Sequence, residues 1–194
     1  MAKAKKSAKK PVKKMMGKKT KKTVKKIAKK SVKKVSAVPV GYNSITPYLI
    51  IDRAVDAIQF YKKVFGAKEV MRMGKEDGKI GHAELQIGDT KIMLADEHPE
   101  MNARAPQTYG GSPVSIHLYI NNVDAVVQRA ITEGATLIRP VEDMFYGDRS
   151  GGVQDPFGHI WYVSTHVEDV TPAEIRKRLA NQCSREEHAC KDHA

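Results

Sequence analysis

Apolar residues recur at helical spacing in two places along the chain. Ala54, Ile58, Tyr61 and Phe65 follow one another at three- and four-residue steps, and Gly66 closes the run. Val123, Val126, Val127 and Ala130 lie on one helical stripe ahead of Gly134. Each pattern predicts an amphipathic helix stopped by glycine. The two also match in sequence. Val55-Asp56-Ala57 with Gly66-Ala67, and Val123-Asp124-Ala125 with Gly134-Ala135, lie 68 residues apart. An alternating, strand-like segment precedes each helix, at 45–51 and 114–120. Strand-like segments follow at 69–73, 80–87 and 90–95, and again at 136–143, 150–154 and 160–164. The predicted order is therefore β-α-β-β-β, twice. The joining stretch 96–112, with Pro99, Pro106, Gly110 and Gly111 before Pro113, reads as a loop.

Alternation assigns the faces of these strands. Ile45, Leu49 and Ile51 share one side of the first strand with Pro47, while Thr46, Tyr48 and Ile50 share the other. Ala83, Leu85 and Ile87 oppose His82, Glu84 and Gln86. Val114, Ile116, Leu118 and Ile120 oppose Ser115, His117 and Tyr119. The uniformly apolar sides are expected to pack on the helices. The other sides carry Tyr48, His117, Tyr119 and Tyr162, aromatic groups with polar tips that suit a pocket wall. A solvent-facing or dimer-buried surface is the plainer alternative.

Charge divides the chain of 194 residues unevenly. Seventeen of its 34 basic residues, all Lys, precede residue 35, and the first acid is Asp52. The rest holds 17 basic against 22 acidic residues, a net of −5, so the basic character belongs to a tail and not to the folded domain. Lys-Lys-x-Val-Lys-Lys occurs three times, at 9–14, 21–26 and 29–34. Such a segment lacks the apolar surface to offset its ordering entropy and is expected to be disordered when free. Lys21, Lys22, Lys25, Lys26, Lys29, Lys30, Lys33 and Lys34 recur in pairs every four residues and are candidates for binding phosphate backbones by counterion release. The composition resembles Lys/Ala/Val-rich tails of linker-histone-like bacterial proteins. An anionic membrane surface and a merely solubilising extension are the alternatives. No apolar run is long enough for a membrane span, and no secretory or mitochondrial leader pattern is present. The two cysteines, Cys183 and Cys190, cannot staple the core, so a reducing, cytoplasmic setting is expected, with nucleoid association as its extension.

Three phrases carry a family resemblance: Ile45-Thr46-Pro47-Tyr48-Leu49, the stretch from Ala57-Ile58-Gln59-Phe60-Tyr61 to Phe65-Gly66-Ala67, and Asp155-Pro156-Phe157-Gly158-His159. They resemble the vicinal oxygen chelate superfamily, which includes glyoxalase I, bleomycin-resistance proteins and extradiol dioxygenases. Gly147-Asp148-Arg149 is similar to a segment of its PhnB-like subgroup. The resemblance implies an α+β fold: two βαβββ modules forming a partly open mixed sheet around a cavity, usually in a homodimer. It also implies that the family's metal-ligand positions fall at Thr46, Met93, Ser115 and Tyr162. Two alcohols, a thioether and a phenol do not replace imidazoles and carboxylates around a divalent cation. No metal or other cofactor is therefore expected, a divalent metal being the alternative.

Other groupings leave choices open. His82, Glu84 and His117 share the predicted pocket side and can be read as a displaced metal set, as an acid–base group with Glu84 the base, or as plain polar lining. Arg149, in a turn, can hold an anionic ligand or tie the turn through an ion pair. Asp155-Pro156-Phe157-Gly158 is a turn signature with no chemistry assigned, and Trp161 is expected in the core. Cys183, His188, Cys190 and His193 have ligand types without zinc spacing and follow a last helix expected at 172–180. The expected organisation is a tail at 1–40, a domain at 41–168 with modules 42–104 and 113–166, and a C-terminal helix and tail at 169–194. The expected ligand-binding residues are Thr46, Tyr48, His82, Glu84, Met93, Ser115, His117, Tyr119, Arg149 and Tyr162. The leading functional expectation is metal-independent capture of an unknown small molecule, plus nonspecific nucleic-acid binding by the tail. A glyoxalase-like lyase or isomerase is the rival. A nucleoid-associated protein whose domain only pairs two tails is the third reading.

Overall fold

A computed structural model describes residues 35–191, with side chains described as far as residue 182. The chain divides into two units, 1–36 and 37–194. The Lys-rich repeats and the eight candidate nucleic-acid-binding lysines lie outside the described residues, as does His193.

The second unit holds the two modules. The first runs β1 (Tyr48–Ile51), α1 (Ala54–Phe65), β2 (Lys68–Gly74), β3 (Ile80–Ile87) and β4 (Thr90–Asp96). The second runs β5 (Ser115–Tyr119), α2 (Val123–Thr132), β6 (Thr136–Asp143), β7 (Asp148–Gln154) and β8 (Ile160–His166). Each makes a four-stranded mixed sheet, in the orders β1-β4-β3-β2 and β5-β8-β7-β6. The first strand of each module pairs in parallel with the last, and the other pairs are antiparallel. This is the expected β-α-β-β-β order, twice.

The apolar sides bury as alternation requires. Leu49, Ile51, Ala83, Leu85, Val153, Trp161 and Val163 share one core with Ile58, Tyr61, Val64 and Phe65 of α1 and Val123, Val126 and Val127 of α2. Ile45 departs from the expectation. Alternation puts it on the helix-packing side, yet β1 begins only at Tyr48 and Ile45 is 83% exposed. Val114, just ahead of β5, is likewise exposed. Both precede the residues at which their strands begin to pair.

The modules share a capping device that no local motif announces. The residues before the helices, Arg53 and Asn122, have left-handed backbones. In both cases the last strand of the module supplies an acceptor for the first helical N–H: Asp96 Oδ1 takes Ala54 N–H at 2.9 Å, and Thr165 Oγ1 takes Val123 N–H at 2.9 Å. Asp96, expected at the start of the linker, therefore ends β4 as a buried anchor that also accepts Ile80 N–H at 2.6 Å.

One carboxylate joins the modules. Asp155 lies in the turn before β8 and is buried. Its Oδ2 accepts Tyr61 O–H of α1 at 2.7 Å and Trp161 Nε1–H at 2.9 Å; its Oδ1 accepts the N–H groups of Phe157 and His159 at 3.0 and 2.9 Å. The Tyr61 phenol is pushed well above its ordinary pKa by burial and by the adjacent Asp155, so it remains a donor. Tyr61 and Phe65 stack on each other and pack against Trp161 at a tilt, with ring centroids 5.3 and 4.5 Å from it. Trp161 is core, as expected, and the Asp-Pro-Phe-Gly turn does more than turn.

The last helix, α3, runs Pro172–Lys191, beyond the expected 172–180. Ala, Gln, Arg and Glu continue it with no Gly or Pro to stop it. Cys183, His188 and Cys190 thus sit on helical backbone.

Replacing Asp155 with Ala leaves four donors without their acceptor. The expected loss is about 3 kcal/mol of unfolding free energy, read as a lowered midpoint in urea.

Candidate functional site

The faces opposite the helices carry the polar side chains, and each module builds its own cluster. On the first sheet, Tyr48, Met93, Glu84 and Met71 are successive cross-strand partners over β1, β4, β3 and β2. Glu84 is buried there. Its carboxylate accepts a short hydrogen bond from Tyr42 O–H, and it stands 3.5 Å from both Lys91 Nζ and His82 Nε2. Tyr48 O–H meets His82 Nδ1 at 3.0 Å, and Lys91 Nζ lies 3.7 Å from the centre of the Tyr42 ring. The Tyr42 hydrogen bond, aided by His82 and Lys91 against the effect of burial, holds Glu84 below the ordinary carboxylate range.

On the second sheet, side chains stand in three rows. Arg139, Gly152, Tyr162 and His117 are successive partners over β6, β7, β8 and β5. Ser150, Ser164 and Tyr119 form the next row, and Asp148 and His166 the third. Ser164 Oγ bonds Ser150 Oγ at 2.7 Å and His117 Nε2 at 3.0 Å. Tyr119 O–H donates to Asp148 Oδ2 at 2.7 Å, and His166 Nδ1 meets Asp148 Oδ1 at 2.7 Å. Burial works against the charge of Asp148, but the bonds from His166 and Tyr119 prevail and lower its pKa. His166 is raised in turn, first by Asp148 and then by Asp169.

The expected site residues are thus divided between two sheets. Tyr48, His82, Glu84 and Met93 share the first face. His117, Tyr119 and Tyr162 share the second. His117 bonds to Ser164 and has no contact with His82 or Glu84 among the hydrogen bonds and ion pairs of the described residues. Thr46 precedes β1 and touches Asn43 O at 3.4 Å. Ser115 is exposed at the start of β5. Arg149 turns to the helix side of β7. Its Nε and Nη2 hold both oxygens of Asp124 at 2.7 Å and its Nη1 holds Asp143 at 3.0 Å, so the ion-pair reading is the arrangement present. Sequence reasoning missed Arg139, Asp148, Ser150, Ser164 and His166. Extending the alternation from Tyr162 would have found Ser164 and His166; nothing local marked Arg139.

The Gly147-Asp148-Arg149 segment has a division of labour. Gly147 has φ +99°, and a Cβ there would lie 2.1 Å from Glu168 O, so only glycine fits. Asp148 and Arg149 then project to opposite faces of β7.

Two cavities border these faces. One of about 680 Å³ lies between Tyr48, Ile50 and His159 and the loop from Arg104 to Pro113. The other, about 360 Å³, is bounded by Pro47, the β3–β4 turn, His117 and Tyr119. Thr46, His82, Glu84, Met93, Ser115, Arg149 and Tyr162 line neither of these two. Among the described residues no group of three or more His, Cys, Asp and Glu is placed to hold a metal ion, and none of their helices is long and apolar enough to cross a membrane.

The Asp148–His166 pair has a definite pH window. The raised His166 pKa contributes stability that is complete below the ordinary imidazole value of about 6.5 and is lost as pH rises through the folded value. The lowered Asp148 pKa contributes stability present above about 3.9 and lost as pH falls through the folded value. The pair is strongest between those limits. In an NMR titration His166 is expected to titrate above 6.5, and Asp148→Asn to bring it back down.

Comparison with known proteins agrees with this architecture. Residues 42–163 match the Glyoxalase/Bleomycin resistance protein/Dioxygenase superfamily. An uncharacterized protein of Mycobacterium bovis is 42% identical over 142 residues, covering 72% of this chain and 93% of that protein. A gene product of Arabidopsis thaliana, known from its X-ray structure, superposes with TM-score 0.52 at 25% identity, over 63% of this chain and 98% of that one. A PhnB protein from Bacillus cereus superposes with TM-score 0.50 at 18% identity, over 63% of this chain and 99% of that one. The chain belongs to the Glyoxalase/Bleomycin resistance protein/Dioxygenase superfamily.

Proposed function

We propose that the polar sheet faces bind a small organic molecule without a metal, and that the Lys-rich tail binds nucleic-acid phosphates. The observation that carries the first part is the set of side chains at the positions where the family resemblance implies metal ligands. Thr46, Met93, Ser115 and Tyr162 offer two alcohols, a thioether and a phenol, a donor set that does not suit a divalent cation. What the faces do offer is aromatic surface with hydrogen-bonding tips, at Tyr48, Tyr119 and Tyr162, beside ordered polar groups on rigid strands.

The enzymatic alternative with Glu84 as base finds less support. A carboxylate held by Tyr42, His82 and Lys91 below its ordinary pKa is a weak proton acceptor. Tyr48 and Tyr119 are 47% and 59% exposed, and in this reading a second copy of the chain covers them and closes the binding space. Each dimer then carries two tails, which raises their avidity for a polyanion in the cytoplasm or at the nucleoid.

A screen of small aromatic and acidic compounds by ligand-observed NMR tests the pocket. Binders are expected, and Tyr162→Ala should weaken them at least ~tenfold with only a small change in melting temperature. Unchanged affinities would refute the assignment. For the tail, deletion of residues 1–36 is expected to abolish DNA binding, and full-length affinity to fall steeply between about 50 and 200 mM salt. Equal binding by both forms would end that part of the proposal.

A further inference from the structure

Arg139 stands on the second sheet without a counter-ion. Arg149 and Arg178 each hold two carboxylates. Arg139 makes one hydrogen bond, from Nη2 to Ser150 Oγ at 2.6 Å, and no ion pair among the described residues. Its Nε is buried and has no partner. Leaving an N–H of a charged group buried without an acceptor is unfavourable, so the arrangement is incomplete as it stands.

The groups around it are short of acceptors as well. Ser164 donates to Ser150, so its oxygen is free to take the Nε2–H of His117. Ser150 accepts from both Ser164 and Arg139, and its own proton has no acceptor among the hydrogen bonds of the described residues. Asp148, two rows along β7, is already met by His166 and Tyr119. Space is provided by Gly152, which separates Arg139 from Tyr162 in the row. A Cβ at Gly152 would stand 3.0 Å from Tyr162 Cε1. Its absence lets the guanidinium lie over the Tyr162 ring, 4.8 Å from its centre.

We infer that this row is a subsite for an oxyanion, the carboxylate or phosphoryl group of the small molecule that the face binds. Arg139 holds the anion through its unused N–H groups, Ser150 anchors the guanidinium from below, and Tyr162 and His117 border the site. This rests on the proposed binding function and narrows its ligands to small organic acids or phosphate esters.

The test titrates the full-length protein with benzoate and, separately, with inorganic phosphate, followed by backbone amide NMR. Saturable shifts are expected at Gly152, Tyr162 and His117. Arg139→Met should weaken binding at least ~tenfold and Arg139→Lys less, while Arg176→Met, which removes an exposed charge on α3, changes nothing. The two arms distinguish a carboxylate ligand from a phosphoryl one. Equal affinity in Arg139→Met, or no saturable shift at these amides with either probe, overturns the inference. Should Arg139→Met fail to fold, Arg139→Lys and the wild-type shift map decide. If neutral compounds still bind the wild type when both anions fail, the proposed binding function stands and only the subsite falls.

Discussion

A carboxylate buried between two modules must be surrounded by donors, and Asp155 is. Tyr61 from α1 and Trp161 from β8 share one of its oxygens, and two backbone N–H groups of its own turn hold the other. Removing an ionised group from water is costly unless its hydrogen bonds are replaced. The turn therefore keeps its shape and α1 keeps its place against β8. The aromatic cluster of Tyr61, Phe65 and Trp161 forms around that point. Arg129 adds a second link, donating to Val64 O from Nε and Nη2 at 3.1 and 2.7 Å.

That choice settles which surfaces remain for function. With the helix-bearing sides used to join the modules, the opposite faces stay open and carry the polar rows. The strands that bear them are fixed on the other side by Leu85, Leu94, Val153 and Val163. Side chains on such strands stand at set spacings and need little reordering to bind a ligand. The two faces differ in electrostatics. On the first, the Glu84 carboxylate is met by Tyr42, His82 and Lys91. On the second, Asp148 is satisfied while Arg139 is not, and this imbalance is the basis of the proposed anion subsite.

Much of the fold was legible from residue order. The 68-residue repeat, the helical stripes at Ala54–Phe65 and Val123–Thr132, and the alternation in β3, β5 and β8 follow from local periodicity, which a strand or helix expresses wherever it folds. Periodicity did less well at the ends of elements. Ile45 alternates correctly yet lies outside β1, because a strand begins where a partner pairs with it and not where its pattern begins. The long α3 was underestimated for the converse reason: no stop signal follows residue 180.

The site was legible only as a choice of faces. Alternation put Tyr48, Glu84, His117 and Tyr162 on the sides away from the helices, since successive side chains must point opposite ways. Which of them meet depends on contacts between residues far apart in the chain. Tertiary structure separated His117 from His82 and Glu84, turned Arg149 to Asp124, and brought Arg139 to Ser150 across β6 and β7. It also gave Asp96 and Asp155 roles that their turn-like surroundings hide, because a buried carboxylate is defined by the donors that converge on it from elsewhere in the chain.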